Sequence, residues 1–216
     1  MKPTHLFFDL DGTLTDSRPG IVTSMRHALT AMGIEVPSDE ALSRFIGPPT
    51  QDSFRELLKS NDRELNTRAI AVYRQRYASL GLYENSVYPG VLDGLCALRE
   101  TGMRLLVVTS KPEVYANRII DHFELRPYFD RVYGSELTGE RADKGELIAH
   151  VVKSEDLSNS QAWMIGDRIH DIIGAMKNGL RSAGVLWGYG SREELSHAGA
   201  DALFQSMPEL VRSFTN

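Results

Sequence analysis

Three short apolar segments, each closed by a polar turn, constrain the fold of this chain most. They comprise residues 5–10, 104–109 and 162–166, and helical patterns lie between them. Strands buried on both faces of a parallel sheet have this form, because neither face needs polar side chains. Residues 131–133 and 182–186 are weaker strand candidates. The alternation of strand and helix predicts an α/β fold with a doubly wound parallel sheet.

One stretch interrupts this alternation, because residues 16–84 contain only helical patterns. Roughly 70 residues are too many for a simple connection between two strands. We therefore expect a catalytic core of residues 1–15 and 86–216 with an inserted α-helical cap, residues 16–85. The alternative is a helical arm that belongs to the core, and it is disfavoured because the sheet pattern resumes cleanly at residue 88.

The composition is that of an ordinary acidic protein. The 216 residues include 24 basic and 29 acidic side chains, for a net charge of −5. This balance argues against binding of a nucleic-acid polymer, which depends on clustered Lys and Arg. No run reaches the ~18 apolar residues of a membrane helix, and Asp9 and Asp11 interrupt the apolar start, so we expect no membrane partner and a cytoplasmic monomer or homodimer. The single cysteine, Cys96, excludes an intramolecular disulfide and is expected in the core.

Acidic residues follow the first predicted strand, at the end where open α/β sheets bind ligands. Asp9 and Asp11 are two residues apart and point the same way in an extended chain, while Gly12 permits a tight turn after them. An Asp-x-Asp-Gly sequence is also common in ordinary turns and in calcium loops. The pair therefore needs support from the other strand ends.

Those strand ends carry further polar residues. Thr109 and Ser110 offer a hydroxyl and backbone amides to phosphate oxygens, and Lys144 stands at the first turn of a predicted helix. Asp167 and Asp171 follow the third segment, four residues apart. Each alone has an ordinary structural explanation, such as a helix cap or a solvated lysine. Four acids with one lysine favour a site for a hard cation such as Mg²⁺ that leaves room for a substrate phosphate.

Four motifs in this order resemble those of the haloacid dehalogenase superfamily of phosphotransferases. They are Asp-Leu-Asp-Gly-Thr-Leu-Thr-Asp-Ser (9–17), Val-Val-Thr-Ser-Lys-Pro (107–112), Lys144, and Gly-Asp-Arg-Ile-His-Asp (166–171). The resemblance covers essentially the whole chain. It implies a Rossmann-like core with a small α-helical cap inserted between the first two motifs.

The resemblance also implies catalytic roles. Asp9 would be the nucleophile that forms an aspartyl-phosphate, and Asp11 would be the general acid and base. Thr109 and the amide of Ser110 would hold the phosphoryl oxygens, and Lys144 would stabilise negative charge in the transition state. These expectations make Asp9, Asp11, Thr109 and Lys144 the predicted catalytic residues.

A metal site is implied by the same resemblance. Asp9, the backbone carbonyl of Asp11, and Asp167 would bind Mg²⁺. Asp171 would orient Lys144 or a metal-bound water.

Substrate choice is expected in the loop of residues 44–50. Gly47 followed by two prolines makes this loop stiff, and Thr50 is placed to cap the next helix. We expect Arg44, Gly47 and Ser110 to bind substrate. The alternative for Arg44 is an ordinary surface arginine.

Asp11 indicates the type of reaction. A haloacid dehalogenase releases a halide, which leaves without a proton, whereas the alkoxide of a phosphate ester needs one. Asp11 therefore favours a phosphatase or a phosphomutase. Residues 45–50, 83–90 and 184–191 resemble the branch near phosphoglycolate phosphatases that is described as 5′-nucleotidase-like. We predict a Mg²⁺-dependent phosphomonoesterase acting on a small soluble phosphate such as a nucleoside 5′-monophosphate. The alternatives are a phosphoglycolate phosphatase, a sugar phosphomutase and a non-catalytic phosphate-binding regulator.

Overall fold

Parallel β-strands form the centre of the protein. The computed structural model describes residues 3–215, apart from the side chain of residue 160. The strands are β1 (His5–Phe8), β2 (Thr15–Asp16), β3 (Ser86–Val87), β4 (Arg104–Pro112), β5 (Arg131–Ser135), β6 (Ala162–Gly166), β7 (Arg181–Val185) and β8 (Ala202–Phe204). Six of them pair in parallel in the order β5-β4-β1-β6-β7-β8. The predicted α/β fold with a doubly wound parallel sheet is confirmed.

Helices connect these strands and cover the sheet. They are α1 (Arg18–Ala31), α2 (Asp39–Ser43), α3 (Thr50–Leu58), α4 (Arg63–Arg76), α5 (Val91–Glu100), α6 (Glu113–His122), α7 (Lys144–Ser154), α8 (Ile169–Lys177), α9 (Arg192–His197) and α10 (Met207–Thr215). A π-helical turn, Tyr77–Gly81, follows α4 directly. None of the described helices combines the length and the apolar composition that crossing a bilayer requires.

The sheet is buried on both faces, as the unbroken apolar segments predict. Leu6 and Phe8 of β1 belong to one hydrophobic cluster, whereas Phe7 between them belongs to the cluster on the opposite face. Successive side chains of a strand point to opposite faces, so both neighbours of β1 show the same division. The central strand is therefore held by packing from above and below and places its carboxyl end firmly.

β1 lies between β4 and β6, and its last residue, Phe8, is in register with Val107 and Ile165. The chain leaves the three strands at the same edge of the sheet. The connection after β1 leads away to the insert, and the order of the strands reverses at this point, which is where open α/β sheets bind ligands. The topology thus gathers the polar residues that follow β1, β4 and β6.

Helices α1 to α4 and the π-helical turn form the helical insert, residues 18–81. Its two connections to the rest of the chain run side by side as the short antiparallel pair β2 and β3, in which Thr15 pairs with Val87. Gly20 of α1 approaches the carbonyl oxygen of Gly81 so closely that a Cβ at Gly20 would lie 1.9 Å from it. The cap boundaries, 16–85, stay a prediction. Residues 1, 2 and 216 of the predicted core lie outside the described part of the chain.

Several local predictions differ from the structure. Strands β2, β3 and β8 were not expected, because two or three residues are too few to show a periodic pattern. Cys96 is exposed rather than buried, since it lies off the stripe of α5 that buries Val91, Leu95 and Leu98. Thr50 is the first residue of α3 and not its cap, a position that Pro49 occupies.

Candidate active site

A cavity of about 60 Å³ opens beside the carboxyl ends of β1 and β4, between the sheet and the helical insert. The predicted site residues that line it are Asp9, Asp11, Gly47, Thr109, Ser110, Lys144 and Asp171. Asp167 does not line the cavity and is completely buried next to it. The structure thus brings together residues from all four sequence motifs.

Lys144 is the centre of a buried charge network. Its Nζ lies 2.7 Å from Asp9 Oδ1 and 2.8 Å from Asp171 Oδ1, and it donates to the backbone carbonyl of Val108 at 2.9 Å. The ammonium therefore contacts two carboxylates and one carbonyl oxygen. Burial by itself would lower the pKa of Lys144, but the charges of Asp171 and Asp9 outweigh burial and raise that pKa above its usual value. Lys144 is a cation at neutral pH.

Local sequence places Lys144 at the start of α7. The side chain of Asp143 caps this helix by accepting a hydrogen bond from the backbone N–H of Glu146 at 3.0 Å. The first turn of α7 packs on α8, where Gly174 leaves room for Lys144: a Cβ at Gly174 would lie 2.9 Å from Lys144 Cγ. The helix start and the small neighbour together direct the side chain towards β1.

Asp167 is held by backbone and side-chain donors. Its Oδ2 accepts a hydrogen bond from the backbone N–H of Tyr189 at 2.8 Å, and its Oδ1 accepts one from the hydroxyl of Thr13 at 3.3 Å. Burial, and then the charges of Asp171 and Asp9, raise the pKa of Asp167 well above its usual range. The carboxylate therefore lacks enough positive charge around it.

Three buried carboxylates face each other at this position. Asp9, Asp167 and Asp171 each present an oxygen within 4.8 Å of the others. Among them, Lys144 contacts Asp9 and Asp171, and burial still raises the pKa of Asp171 to about 6 although Lys144 opposes this shift. An oxygen-lined pocket with excess negative charge suits a hard divalent cation. These residues could hold such an ion.

Asp11 turns away from this acidic group. Its Oδ2 lies 2.6 Å from Nζ of Lys111, which also donates to the hydroxyl of Tyr77 at 2.7 Å. Burial and the charge of Asp11 raise the pKa of Tyr77 well above its usual value, so the phenol is neutral. No role was predicted for Lys111 or Tyr77. The signal for Lys111 was its place directly after Thr109 and Ser110; Tyr77 carried no signal beyond its helical pattern.

The loop between α2 and α3 closes one side of the cavity. Arg168 donates to the backbone carbonyl of Ile46, and its Nε donates to Glu194 at 3.0 Å. Gly47, with φ +106°, lies against the same arginine, and a Cβ there would be 3.3 Å from Arg168 Cγ. Arg168 thus joins the loop to the start of α8.

Arg44 is not brought to the site. It is exposed, lies 3.8 Å from Glu56 and does not line the cavity. Substrate binding by Arg44 stays a prediction.

A second loop, residues 187–190, supports the site from the side of β7. The indole of Trp187 donates to the backbone carbonyl of Thr13 at 3.0 Å, and the hydroxyl of Tyr189 donates to Asp16 Oδ1 at 2.9 Å. A Cβ at Gly190 would lie 1.9 Å from the backbone oxygen of Asp167. This loop therefore links the acidic group to the first connection of the helical insert.

The arrangement is equipped for phosphoryl chemistry. Asp9 offers a carboxylate beside an ammonium, Asp11 offers a second carboxyl group two residues away, and Thr109 and Ser110 offer a hydroxyl and backbone donors at the end of β4. Two carboxyl groups and cations around one cavity could supply the nucleophile, the proton donor and the positive charge that transfer of a phosphoryl group requires.

Comparison with known proteins agrees with this chemistry. The family model of haloacid dehalogenase-like hydrolases matches residues 6–185. A 5′-nucleotidase of Pseudomonas aeruginosa is 45% identical over 195 residues, which cover 90% of this chain and 88% of that protein. Tyrosine-protein kinase PtkA of Mycobacterium tuberculosis is 39% identical over 189 residues, which cover 88% of this chain and 64% of that protein.

Two further relatives extend the comparison. A phosphoglycolate phosphatase of Cupriavidus necator is 30% identical over 215 residues, which cover 98% of this chain and 93% of that protein. The crystal structure of a predicted phosphatase from Clostridium acetobutylicum is 42% identical, with a TM-score of 0.95 over 99% of this chain and 98% of that chain. The resemblance to the branch of 5′-nucleotidases and phosphoglycolate phosphatases is confirmed.

Proposed function

Because this chain belongs to the haloacid dehalogenase-like hydrolase family and is an enzyme of the phosphatase type, we propose that it hydrolyses small phosphomonoesters in the presence of Mg²⁺. Nucleoside 5′-monophosphates are the substrates that we propose first, in line with the 5′-nucleotidase relative. The observation that carries the proposal is the buried Lys144 ammonium, 2.7 Å from Asp9 Oδ1 beside a cavity that Asp11 also lines.

The reaction uses Asp9 and Asp11 in two steps. In the first, the Asp9 carboxylate attacks phosphorus, the bond from phosphorus to the ester oxygen breaks, and Asp11 donates a proton to that oxygen. In the second, Asp11 removes a proton from water, which attacks phosphorus and releases phosphate from the aspartyl-phosphate. Lys144 holds Asp9 in place, and Thr109 and Ser110 bind the phosphoryl oxygens.

Asp9, Asp167 and the backbone carbonyl of Asp11 are the residues that we propose as Mg²⁺ ligands. The side chain of Asp171 joins Asp9 and Asp167 in the acidic group, and its contact with Lys144 keeps it in place. When bound, Mg²⁺ supplies positive charge that offsets the repulsion between a carboxylate nucleophile and a phosphate dianion.

Residues 16–85 serve as a mobile cap in this proposal. A cavity of about 60 Å³ is far smaller than the roughly 300–1,000 Å³ of typical ligand pockets. A nucleotide therefore enters only when the helical insert moves away, and the contact of Arg168 with Ile46 re-forms on closure.

Phosphoglycolate is the second candidate substrate, and the same small volume favours it. The cavity is also lined by Arg74, a cation that Asp9 does not contact and that suits a compact substrate with a second anionic group. A sugar phosphomutase would release no phosphate, and a binding regulator would have no use for Asp11 as a proton donor.

One phosphate-release screen tests these alternatives together. Purified protein is given nucleoside 5′-monophosphates, phosphoglycolate and sugar phosphates, with Mg²⁺ or with a chelator. We expect release with Mg²⁺ only, and none from Asp9→Asn protein that keeps the circular dichroism spectrum of the native protein. No release from any ester, or activity that survives Asp9→Asn, would overturn the proposal.

A further inference from the structure

Lys111 holds one oxygen of the Asp11 carboxylate and leaves the other without a partner. Lys111 Nζ lies 2.6 Å from Asp11 Oδ2, and both side chains are at least nine-tenths buried. Asp11 Oδ1 is buried and has no hydrogen-bond partner among the described residues. The two oxygens of this carboxyl group are therefore in different situations, one engaged and one free.

Tyr77 fixes the position of Lys111. Its hydroxyl accepts a hydrogen bond from Lys111 Nζ at 2.7 Å, and its ring stacks on Tyr73 with centroids 5.3 Å apart and planes 9° apart. Tyr115 meets the same ring edge-on at 5.7 Å. Only 1% of Tyr77 is exposed, so the ring has one available position.

The backbone at Tyr77 has an unusual conformation, a π-helical turn. Tyr77 begins the π-helical turn, and such wide turns are rare and occur frequently at functional sites. The turn ends at Gly81, where a Cβ would lie 2.8 Å from Tyr77 Cδ2. The helical insert thereby presents the phenol to Lys111, which lies at the end of β4 on the sheet side of the cavity.

Each of the two lysines contacts a different one of the two carboxylates, Asp9 and Asp11. Lys144 contacts Asp9 and Asp171 and donates to the backbone carbonyl of Val108, whereas Asp11 is not among its contacts. Lys111 contacts Asp11 and lines the same cavity. An ammonium on each carboxylate would keep the nucleophile and the proton donor from rotating independently.

We propose that Lys111 is a positioning residue for proton transfer: by holding Asp11 Oδ2 it fixes the carboxyl group that gives its proton to the leaving oxygen. Tyr77 makes this orientation depend on the docked helical insert. The proposal rests on the proposed phosphatase function. It assigns no contact between Lys111 and substrate, because Lys111 acts through Asp11.

The dependence of the rate on the leaving group tests this role. An alkoxide, as in a nucleoside 5′-monophosphate, leaves only with a proton, whereas p-nitrophenolate leaves without one. The quantity to compare is kcat/KM, because it reports steps up to departure of the leaving group and excludes later hydrolysis of the aspartyl-phosphate. Lys111→Met, Tyr77→Phe and Asp11→Asn are measured on both esters beside native protein, with Lys153→Met, an exposed lysine of α7, as control.

For Lys111→Met we expect kcat/KM to fall about 100-fold on the nucleotide and less than about 10-fold on p-nitrophenyl phosphate, the pattern of a misplaced general acid. Asp11→Asn should show the same selectivity to a larger extent. Tyr77→Phe removes one hydroxyl and should lower the nucleotide rate by roughly 3- to 10-fold, with a smaller effect on the aryl ester. Lys153→Met should match native protein.

Equal losses on the two esters would refute the positioning role, since a general structural defect does not distinguish leaving groups. If Lys111→Met fails to give the native circular dichroism spectrum, the same ratio for Tyr77→Phe decides the matter, because this variant keeps the ring. Native protein that releases phosphate from neither ester would instead overturn the proposed function, so the two failures are distinguishable.

Discussion

Replacing Lys144 by methionine tests the buried charge network most directly. The substitution keeps the length of the side chain but removes the ammonium from between Asp9 and Asp171. It also removes the hydrogen bond that Lys144 donates to the backbone carbonyl of Val108. The variant thus has two buried carboxylates that no lysine neutralises.

The cost follows from these lost contacts. Breaking a buried ion pair by removing one partner costs about 3–5 kcal/mol. Relaxation of the site and uptake of a proton limit this cost. We therefore expect the free energy of unfolding to fall by about 4 kcal/mol at mildly alkaline pH without metal.

The loss should depend on pH in a defined direction. The pKa of Lys144 is raised, so its stabilising contribution in the native protein is fully present below its ordinary value of 10.5 and is constant near neutral pH. Burial raises the pKa of Asp171 from 3.8 to about 6, so a falling pH stabilises the folded state across that window. Without Lys144 the pKa of Asp171 rises further. Protonation of Asp171 at low pH therefore increases the free energy of unfolding of the variant more than that of the native protein.

Urea unfolding in the presence of a chelator measures the effect. At about pH 5.5 the deficit should be smaller than at about pH 8, because the pKa of Asp171 rises further once Lys144 no longer opposes its burial. Adding Asp171→Asn to Lys144→Met should recover part of the stability, because it removes the uncompensated charge. Lys153→Met on the same helix should change stability by less than about 0.5 kcal/mol. A deficit below about 1 kcal/mol, or one that is equal at the two pH values, would refute the reasoning.

Three other predictions concern the metal, a glycine and the loop contact. Mg²⁺ should raise the melting temperature more at about pH 8 than at about pH 5.5, because the pKa values of Asp167 and Asp171 are raised and protons compete with the ion. If Mg²⁺ raised the melting temperature of Asp167→Asn as much as that of native protein, this prediction would be contradicted. Gly190→Ala should destabilise the protein by more than about 2 kcal/mol in thermal unfolding, because its Cβ would lie 1.9 Å from a backbone oxygen. Arg168→Met should speed proteolysis near Ile46 by about 10-fold, because a fall of ~1.4 kcal/mol in the free energy of opening the loop makes the open form ten times more populated. Unchanged cleavage would show that the hydrogen bond does not hold the loop.

The central sheet could be predicted because each of its main strands is a continuous apolar segment. β1, β4 and β6 were all expected from this pattern, and their shared edge explains why Asp9 lies beside Asp167 and lines one cavity with Thr109. β2, β3 and β8 were missed because their two or three residues carry no period. The predicted burial of Cys96 was wrong because neighbouring positions on a helix face different directions, and Cys96 is exposed.

Contacts made by the helical insert could not be predicted in the same way. Tyr77 lies within a helical pattern, but its meeting with Lys111 depends on the wide π-helical turn and on how the insert docks. The same holds for Arg168, whose partner is a backbone carbonyl of the loop between α2 and α3. Neither partner has a local signature in the sequence.

Residue patterns in the sequence were enough to predict the main strands of the sheet, the family and the residues at the strand ends, because strand patterns are local and parallel topology brings their carboxyl ends to one edge. Three other features came from the packing alone: which oxygen of Asp11 is engaged, the hold of Tyr189 on Asp167, and the place of Arg44 away from the cavity. These outcomes depend on the packing of segments distant in the chain, where a rotation of one helix changes every partner. Residue types and spacing thus indicated which chemical groups the site contains, whereas packing set the directions and partners of those side chains.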